Sequence, residues 1–384
     1  DLIYLDYAAS TPVDPRVAEL LLDCHRTRFA TPSSNHAAGR KSRASIEHAA
    51  GQLSTLLNVD PKTLIWTSGA TESDNLAIAG GARYRAHRGK HLVTMPTEHK
   101  AVTDVFHMLE KQGFEVTWLN PADNGLLDPA DFAAALRADT QLVSIMYVNN
   151  ETGVMQDIPA IGAICRERDI LFHVDAAQAV GKIPIDLQEL PVDLLSLTGH
   201  KFYGPKGIGA LYIADRPGCR VEPILFGGGQ QRRIRPGTLP ADLIAGLGLA
   251  AEIASSRIDS DLDHLTDLRH VLWAGIDEVD GVLVNGDLDA GFPGILSVSV
   301  DNVDGESLLL ELEPICVATG SACNALSQEP SYVLRALGRS DLLAQSAIRF
   351  SFGRPTRRED VEFAARRYGE AVARLRSLAP EVTT

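Results

Sequence analysis

Several short stretches carry residues able to do chemistry, and each stands close after a run of apolar and β-branched residues. SGATESDN, Ser68 to Asn75, follows TLIWT and opens a helical stretch that runs toward Arg85. Small and hydroxyl residues at a helix start leave backbone N–H groups free, and the helix dipole favours an anion there, so a phosphate fits at Ala70 and Thr71. A plain N-cap with Glu72 in the first turn explains the same residues. Asp175 directly follows ILFHV. A carboxylate at that place is costly to bury unless it meets a cation or a protonated ring nitrogen, or caps a helix. Lys201, in SLTGHKFYGPKG, lies between a strand and a Gly-Pro-rich loop, with Thr198 and His200 beside it as further anion donors. Its amine can bond an aldehyde cofactor covalently. Lys206 is the competing lysine, and a surface loop is the ordinary place for either.

His99, in TEHKAV after HLVTM, suits a general acid or base or a ring laid against an aromatic system, and equally a helix cap or a core histidine. Asn150, in MYVNNETG, holds the same place after the next strand. Cys323 sits in GSACNALSQEP, where a thiol is displayed among small and polar residues, as reactive thiols require. Cys316, in an apolar run, reads as its buried counterpart. Arg349, inside the strand-like SAIRFSFGR, suits a bidentate carboxylate clamp or a structural ion pair. Gly246 to Ala251 formally fits GxGxxA, but it follows a polar turn rather than a strand and reads as helix, so no dinucleotide site is expected.

The elements that must position these residues follow from the periodicity. TLIWT, HLVTM, FEVTWL, QLVSIMY, ILFHV, LLSLT and IGALYI read as strands between Thr63 and Ile213, most of them separated by amphipathic stretches. This is the pattern of an α/β unit whose parallel sheet is covered by helices on both faces. Ligands of such sheets bind outside the carboxyl ends of the strands, where the residues above stand. After about Leu249 the pattern changes to a helical stretch from roughly Asp259 to Val279, then strands near GVLVN, ILSVSV and AIRFSF, which reads as an α+β unit. YLDY at the start is too short to stand alone and is expected to pack there. The chain therefore divides into a large domain over 14–258 and a small domain from 1–13 and 259–384 that carries Cys323.

The 384 residues suffice for two domains at about 150 each. With 45% apolar and 22% charged residues, disordered, collagenous and coiled-coil proteins are excluded. The balance of 36 basic against 50 acidic residues, net −14, argues against direct nucleic-acid binding and leaves small molecules and proteins as partners. Arg232, Arg233 and Arg235 form an interface candidate. Five cysteines without CxxC spacing argue against a disulfide framework and a zinc site, so no metal and a reducing, cytoplasmic home are expected. No apolar run approaches the roughly 18 to 20 residues of a membrane span, and DLIYLDYAAS has no secretory pattern. It opens on Asp1 rather than Met, which leaves room for a trimmed initiator or leader.

SGATESDNLAI, TEHKAV, VNNETGVMQDI, HVDAAQAVGK, TGHKFYGPKGIGALY, GTLP and GSACNALSQEPSYVLRALG, in this order and spacing, resemble the cysteine desulfurases of the IscS/NifS type within the class V aminotransferase fold group. The likeness runs from YLDYAAST to the helix near Arg374. It implies the pyridoxal 5′-phosphate (PLP)-dependent transferase fold type I, with PLP on Lys201, Asp175 against its ring nitrogen and His99 on the ring face as proton carrier. Gln178 would meet the ring hydroxyl, and Ala70, Thr71, Thr198, Gly199 and His200 would hold the phosphate, joined by Thr238 from the other subunit of a homodimer. Asn150 and Arg349 would hold the carboxylate of L-cysteine. The resemblance further implies that Cys323 takes the sulfur as a persulfide, leaves alanine, and passes the sulfur to an acceptor protein.

The chain departs from the family pattern in ATPSSNH, with Ala30 and Thr31 where the family has Gly and Asn, and in RPGT, through Pro236. It also lacks, after LRSLAPEVTT, the longer tail by which housekeeping members meet the iron–sulfur scaffold. Iron–sulfur cluster assembly is thereby joined by dedicated tRNA-thiolation or DNA-phosphorothioation acceptors as expected destinations. The alternatives are a selenocysteine lyase or other PLP-dependent β-lyase, and a low-activity sulfur-relay subunit.

Overall fold

The computed structural model describes residues 2–319 and 329–378. After the short β1 (Ile3–Tyr4), helices α1 (Pro15–Thr27) and α2 (Ala37–Leu57) lead into alternating elements: β2 (Leu64–Thr67), α3 (Ala70–Tyr84), β3 (His91–Thr94), α4 (Lys100–Lys111), β4 (Glu115–Trp118), α5 (Pro129–Ala135), β5 (Thr140–Ser144), α6 (Ile158–Glu167), β6 (Leu171–Asp175), β7 (Leu194–Thr198) and β8 (Gly209–Ile213). The sequence marks several helix starts directly. Asp14, Asp128 and Asp157 each accept a backbone N–H of the turn that follows, with proline at the first or second helical position.

Among the described residues these strands form a seven-stranded sheet in the order β2-β8-β7-β6-β5-β3-β4. The neighbours from β4 to β7 pair in parallel, whereas β8 runs antiparallel to both β7 and β2, so the sheet is mainly parallel. Every residue of β3, β5, β6 and β7 is buried, as strands covered by helices on both faces must be. Next, α7 (Ala241–Ser255) packs on α2. A Cβ on Gly248 would lie 2.5 Å from Ala49 Cβ, so the small residues of GLGLAA let two helices approach closely and bind no dinucleotide.

The second unit comprises α8 (Ile258–Ile276), β9 (Val282–Val284), β10 (Ile295–Val300), α9 (Gly305–Glu311), β11 (Ile315–Cys316), β12 (Ala318–Thr319), α10 (Tyr332–Ala336), α11 (Asp341–Gln345), β13 (Ile348–Ser351) and α12 (Arg358–Leu378). Its sheet is antiparallel in the order β12-β13-β10-β9. The chain start is stitched to these elements. β1 pairs with β11, Asp6 bridges Ser351, and the Ala8 N–H donates to Ser351 Oγ at 2.9 Å. That stitching carries Asp6, Ala8 and Ala9 to the carboxyl edge of the large sheet. Cys316 corrects one expectation: it is only partly buried, because among the described residues β11 pairs only with the two-residue β1. Among the described residues no helix is long and apolar enough to cross a membrane.

Candidate active site

A cavity of about 620 Å³ opens at the carboxyl edge of the large sheet. One end is formed by the turn between β2 and α3. Gly69, at φ +152°, caps α3 without any side-chain hydrogen bond, so no side chain competes for the first-turn N–H groups beside Ala70 and Thr71. Glu72 is drawn aside by the Ser68 N–H at 2.7 Å and by Arg235 at 2.7 Å, and thus does not fill the anion position. Thr198 and His200 border the same end. Burial and the nearby Lys201, Lys206 and Lys182 push the His200 imidazole down to about 4, which leaves it a neutral donor.

Two residues expected to hold phosphate, one of them in the other subunit's site, do not border this cavity. Gly199 is buried, spends its N–H on the Ile208 carbonyl at 3.0 Å, and does not border the cavity, so its amide cannot serve. Thr238 is exposed and lies outside the cavity of its own chain.

The floor is a cluster of buried acids. Asp175, 4% exposed at the end of β6, accepts the Ala177 N–H at 2.9 Å and is followed by turns rather than by a helix it could cap. Burial raises its carboxyl, while His99, the Ala177 N–H and Lys201 pull it back. Asp74 and Glu98 are fully buried beside it; both oxygens of Asp74 and Oε2 of Glu98 have no hydrogen-bond partner. Desolvation and the repulsion of Asp175 hold both well above the usual carboxylate range. His173 meets Ser144 at 2.8 Å and Ser196 at 2.9 Å, and burial pushes it down to about 3. Asp175 is therefore the floor's carboxylate with cationic partners, suited to a protonated ring nitrogen.

His99 combines the two readings left open by its sequence. Its Nδ1 caps α4 by accepting the Ala101 N–H at 3.1 Å, which fixes the proton of the neutral ring on Nε2. Burial lowers its pKa, against the opposing pull of Asp175. Lys201 Nζ donates to the carbonyls of Ala8, at 2.5 Å, and Ala9, at 3.0 Å, deep in the cavity. Lys206 reaches only the exposed rim. Gln178, 3% exposed, lines the cavity and donates from Nε2 to the Ala8 carbonyl at 2.8 Å.

The other end of the cavity gathers distant segments. Arg349 on β13 is buried, donates from Nη1 to the Asn150 carbonyl at 2.7 Å and from Nη2 to Asp6 at 2.7 Å, and has an unpartnered Nε. Beside it, burial raises the Glu151 carboxyl to about 7, with Ser331 Oγ at 2.5 Å. Cys323 lies outside the described residues.

The cavity thus joins Lys201, Asp175, His99, Gln178, Asn150 and Arg349 with the start of α3. An uncapped helix start, a buried carboxylate and a deep amine suit a phosphate-bearing aldehyde with a basic ring nitrogen, as PLP is. Asp6, Asp74, Glu98 and Lys182 were not singled out by the sequence. Asp74 could have been, since it shares helical spacing with Ala77 and Ile78, where an acid breaks an otherwise apolar stripe.

The aminotransferase class-V family matches residues 3–363. The chain is 52% identical to a cysteine desulfurase IscS of Neisseria meningitidis serogroup C over 379 residues, covering 98% of this chain and 94% of that protein. Among solved structures it is similar to a NifS-like protein, with TM-score 0.91 and 34% identity over 98% of this chain and 100% of the other. It is also similar to SspA in complex with cysteine, with TM-score 0.82 and 37% identity over 91% and 99%.

Proposed function

This chain belongs to the aminotransferase class-V family, and from that premise we propose that it is a PLP-dependent cysteine desulfurase, a transferase that removes sulfur from L-cysteine and leaves L-alanine. The observation that carries this reading is one cavity in which Lys201, Asp175 and the uncapped start of α3 face the buried Arg349. PLP, when bound, supplies an aldehyde carbon for the substrate amine and an electron-withdrawing ring. The residues supply the rest. Lys201 tethers the cofactor and then moves the substrate's α-proton; Asp175 keeps the ring nitrogen protonated; His99 offers Nε2–H from a ring fixed by its helix cap. Ala70, Thr71, Thr198 and His200 bind the phosphate, and Asn150 and Arg349 orient the substrate carboxylate.

Cys323 acts as a thiolate that attacks the substrate sulfur: an S–S bond forms as the C–S bond breaks, the carbon keeps the electron pair, and its protonation yields alanine. The persulfide then goes to an acceptor protein, an iron–sulfur scaffold or a dedicated thiolation partner. Thr238, exposed on its own chain, reaches the phosphate of a second copy in a homodimer. The working unit is cytoplasmic, with the division at 14–258 against 1–13 and 259–384.

Replacing Cys323→Ala tests this directly. Alanine release should stop while added cysteine still shifts the visible absorbance of the bound cofactor. Continued release would indicate a β-lyase that needs no thiol, such as a selenocysteine lyase.

A further inference from the structure

Lys182, in the turn after Asp175, has no part in the chemistry above, yet it holds a group that does. Its Nζ donates to Gln178 Oε1 at 2.6 Å, while Gln178 Nε2 donates to the Ala8 carbonyl at 2.8 Å. Lys201 Nζ donates to that same carbonyl. A carbonyl only accepts, so it fixes which end of the amide carries nitrogen, and Lys182 occupies the other end. Gln178 then has one N–H left at the cavity it lines.

We propose that Lys182 is a positioning residue: by holding Gln178 Oε1, it makes Gln178 a donor, and never an acceptor, toward the cofactor oxygen beside the aldehyde carbon. The inference rests on the PLP reading and deepens it. In PLP the ring nitrogen lies opposite the aldehyde carbon, which is flanked by the hydroxyl on one side and the phosphate arm on the other. With the nitrogen at Asp175, the aldehyde at Lys201 and the phosphate at the start of α3, the hydroxyl is left to the side of Gln178. A donor there favours the ionised oxygen and lowers its pKa.

The surroundings of Lys182 support a built contact rather than a stray surface lysine. Its Nζ lies 5.7 Å from the Phe292 ring centroid, and its side chain lines a small cavity behind Lys201 with Tyr7, Asp261 and Arg354. Burial, with the neighbouring cations Lys201 and Arg349, holds its pKa well below the usual lysine value. An uncharged amine keeps N–H donors, so the contact to Oε1 survives either state.

The test uses the full chain reconstituted with PLP and reads two quantities apart from turnover: the cofactor dissociation constant and the pH midpoint of its visible absorbance. Lys182→Met should weaken the cofactor about tenfold and move the midpoint upward by about one pH unit, and Lys182→Arg should recover part of both. Gln178→Leu should move the midpoint the same way, and the double variant no further, because the two residues act in series. An unmoved midpoint in Lys182→Met, or fully additive shifts in the double variant, would overturn the proposal. Should Lys182→Met not fold, Lys182→Arg and Gln178→Leu carry the test alone, and equal midpoints in Lys182→Arg, Gln178→Leu and the parent would overturn it. A parent protein that takes up no colour at all would instead overturn the PLP reading.

Discussion

The two ends of the cavity are built by different means. At the cofactor end, the start of α3, His99, Asp175 and Lys201 each follow a strand of one sheet within 67–201. At the carboxylate end, Asp6, Asn150 and Arg349 come from three segments, and the Asp6–Arg349 pair spans 343 positions. A parallel sheet aligns strand ends automatically, so its site residues are positioned by secondary structure. At the carboxylate end, Asp6 is brought to Arg349 by the pairing of β1 with β11 and its own bridge to Ser351 at the end of β13. This end depends on tertiary register, and a change there should leave the first end intact.

Arg349→Met is the sharpest way to break that separation. It should lower kcat/KM for cysteine about a hundredfold, mostly through KM, with the cofactor's absorbance and affinity unchanged. Loss of the cofactor in that variant would show the two ends to be one unit.

Glu151→Gln probes the same end through stability. Glu151, raised to about 7, contributes stability that is complete below the ordinary glutamate range and is lost as pH rises toward 7. Glutamine removes that loss. The stability of the variant relative to the parent, from urea unfolding, should rise between pH 5 and pH 8 by about 2.5 kcal/mol; an equal difference at both pH values would count against a buried, titrating Glu151.

The smallest effect belongs to the cofactor floor. Burial and the repulsion of Asp175 raise the Asp74 carboxyl, so Asp74→Asn should cost less than about 1 kcal/mol and leave the cofactor's colour in place. A large loss would mean that its charge is used.

The same contrast explains what could be read from sequence. The strand runs and the residues after them follow from period and spacing, and the described strands fall on those runs, β2 on TLIWT and β6 on ILFHV with Asp175 at its end. Asp6 was passed over because nothing in YLDY tells that its carboxylate meets an arginine far along the chain. Gly199 was expected to hold phosphate from the family resemblance alone, yet its N–H closes a bond to the Ile208 carbonyl, a pairing set by the antiparallel β8 rather than by local spacing. Cys316 was expected to be buried from its apolar run, which does not reveal how thin the β1–β11 pair is. Glu98 was missed because a lone acid in the turn after β3 carries no spacing signature, whereas the helical spacing of Asp74 with Ala77 and Ile78 was a signal left unused.

The most direct test of the central claim is reduction of the PLP-loaded protein with borohydride followed by peptide mapping. The cofactor should be found fixed to Lys201 in the peptide containing TGHKFYGPK. Fixation at Lys206, or none anywhere, would contradict the account.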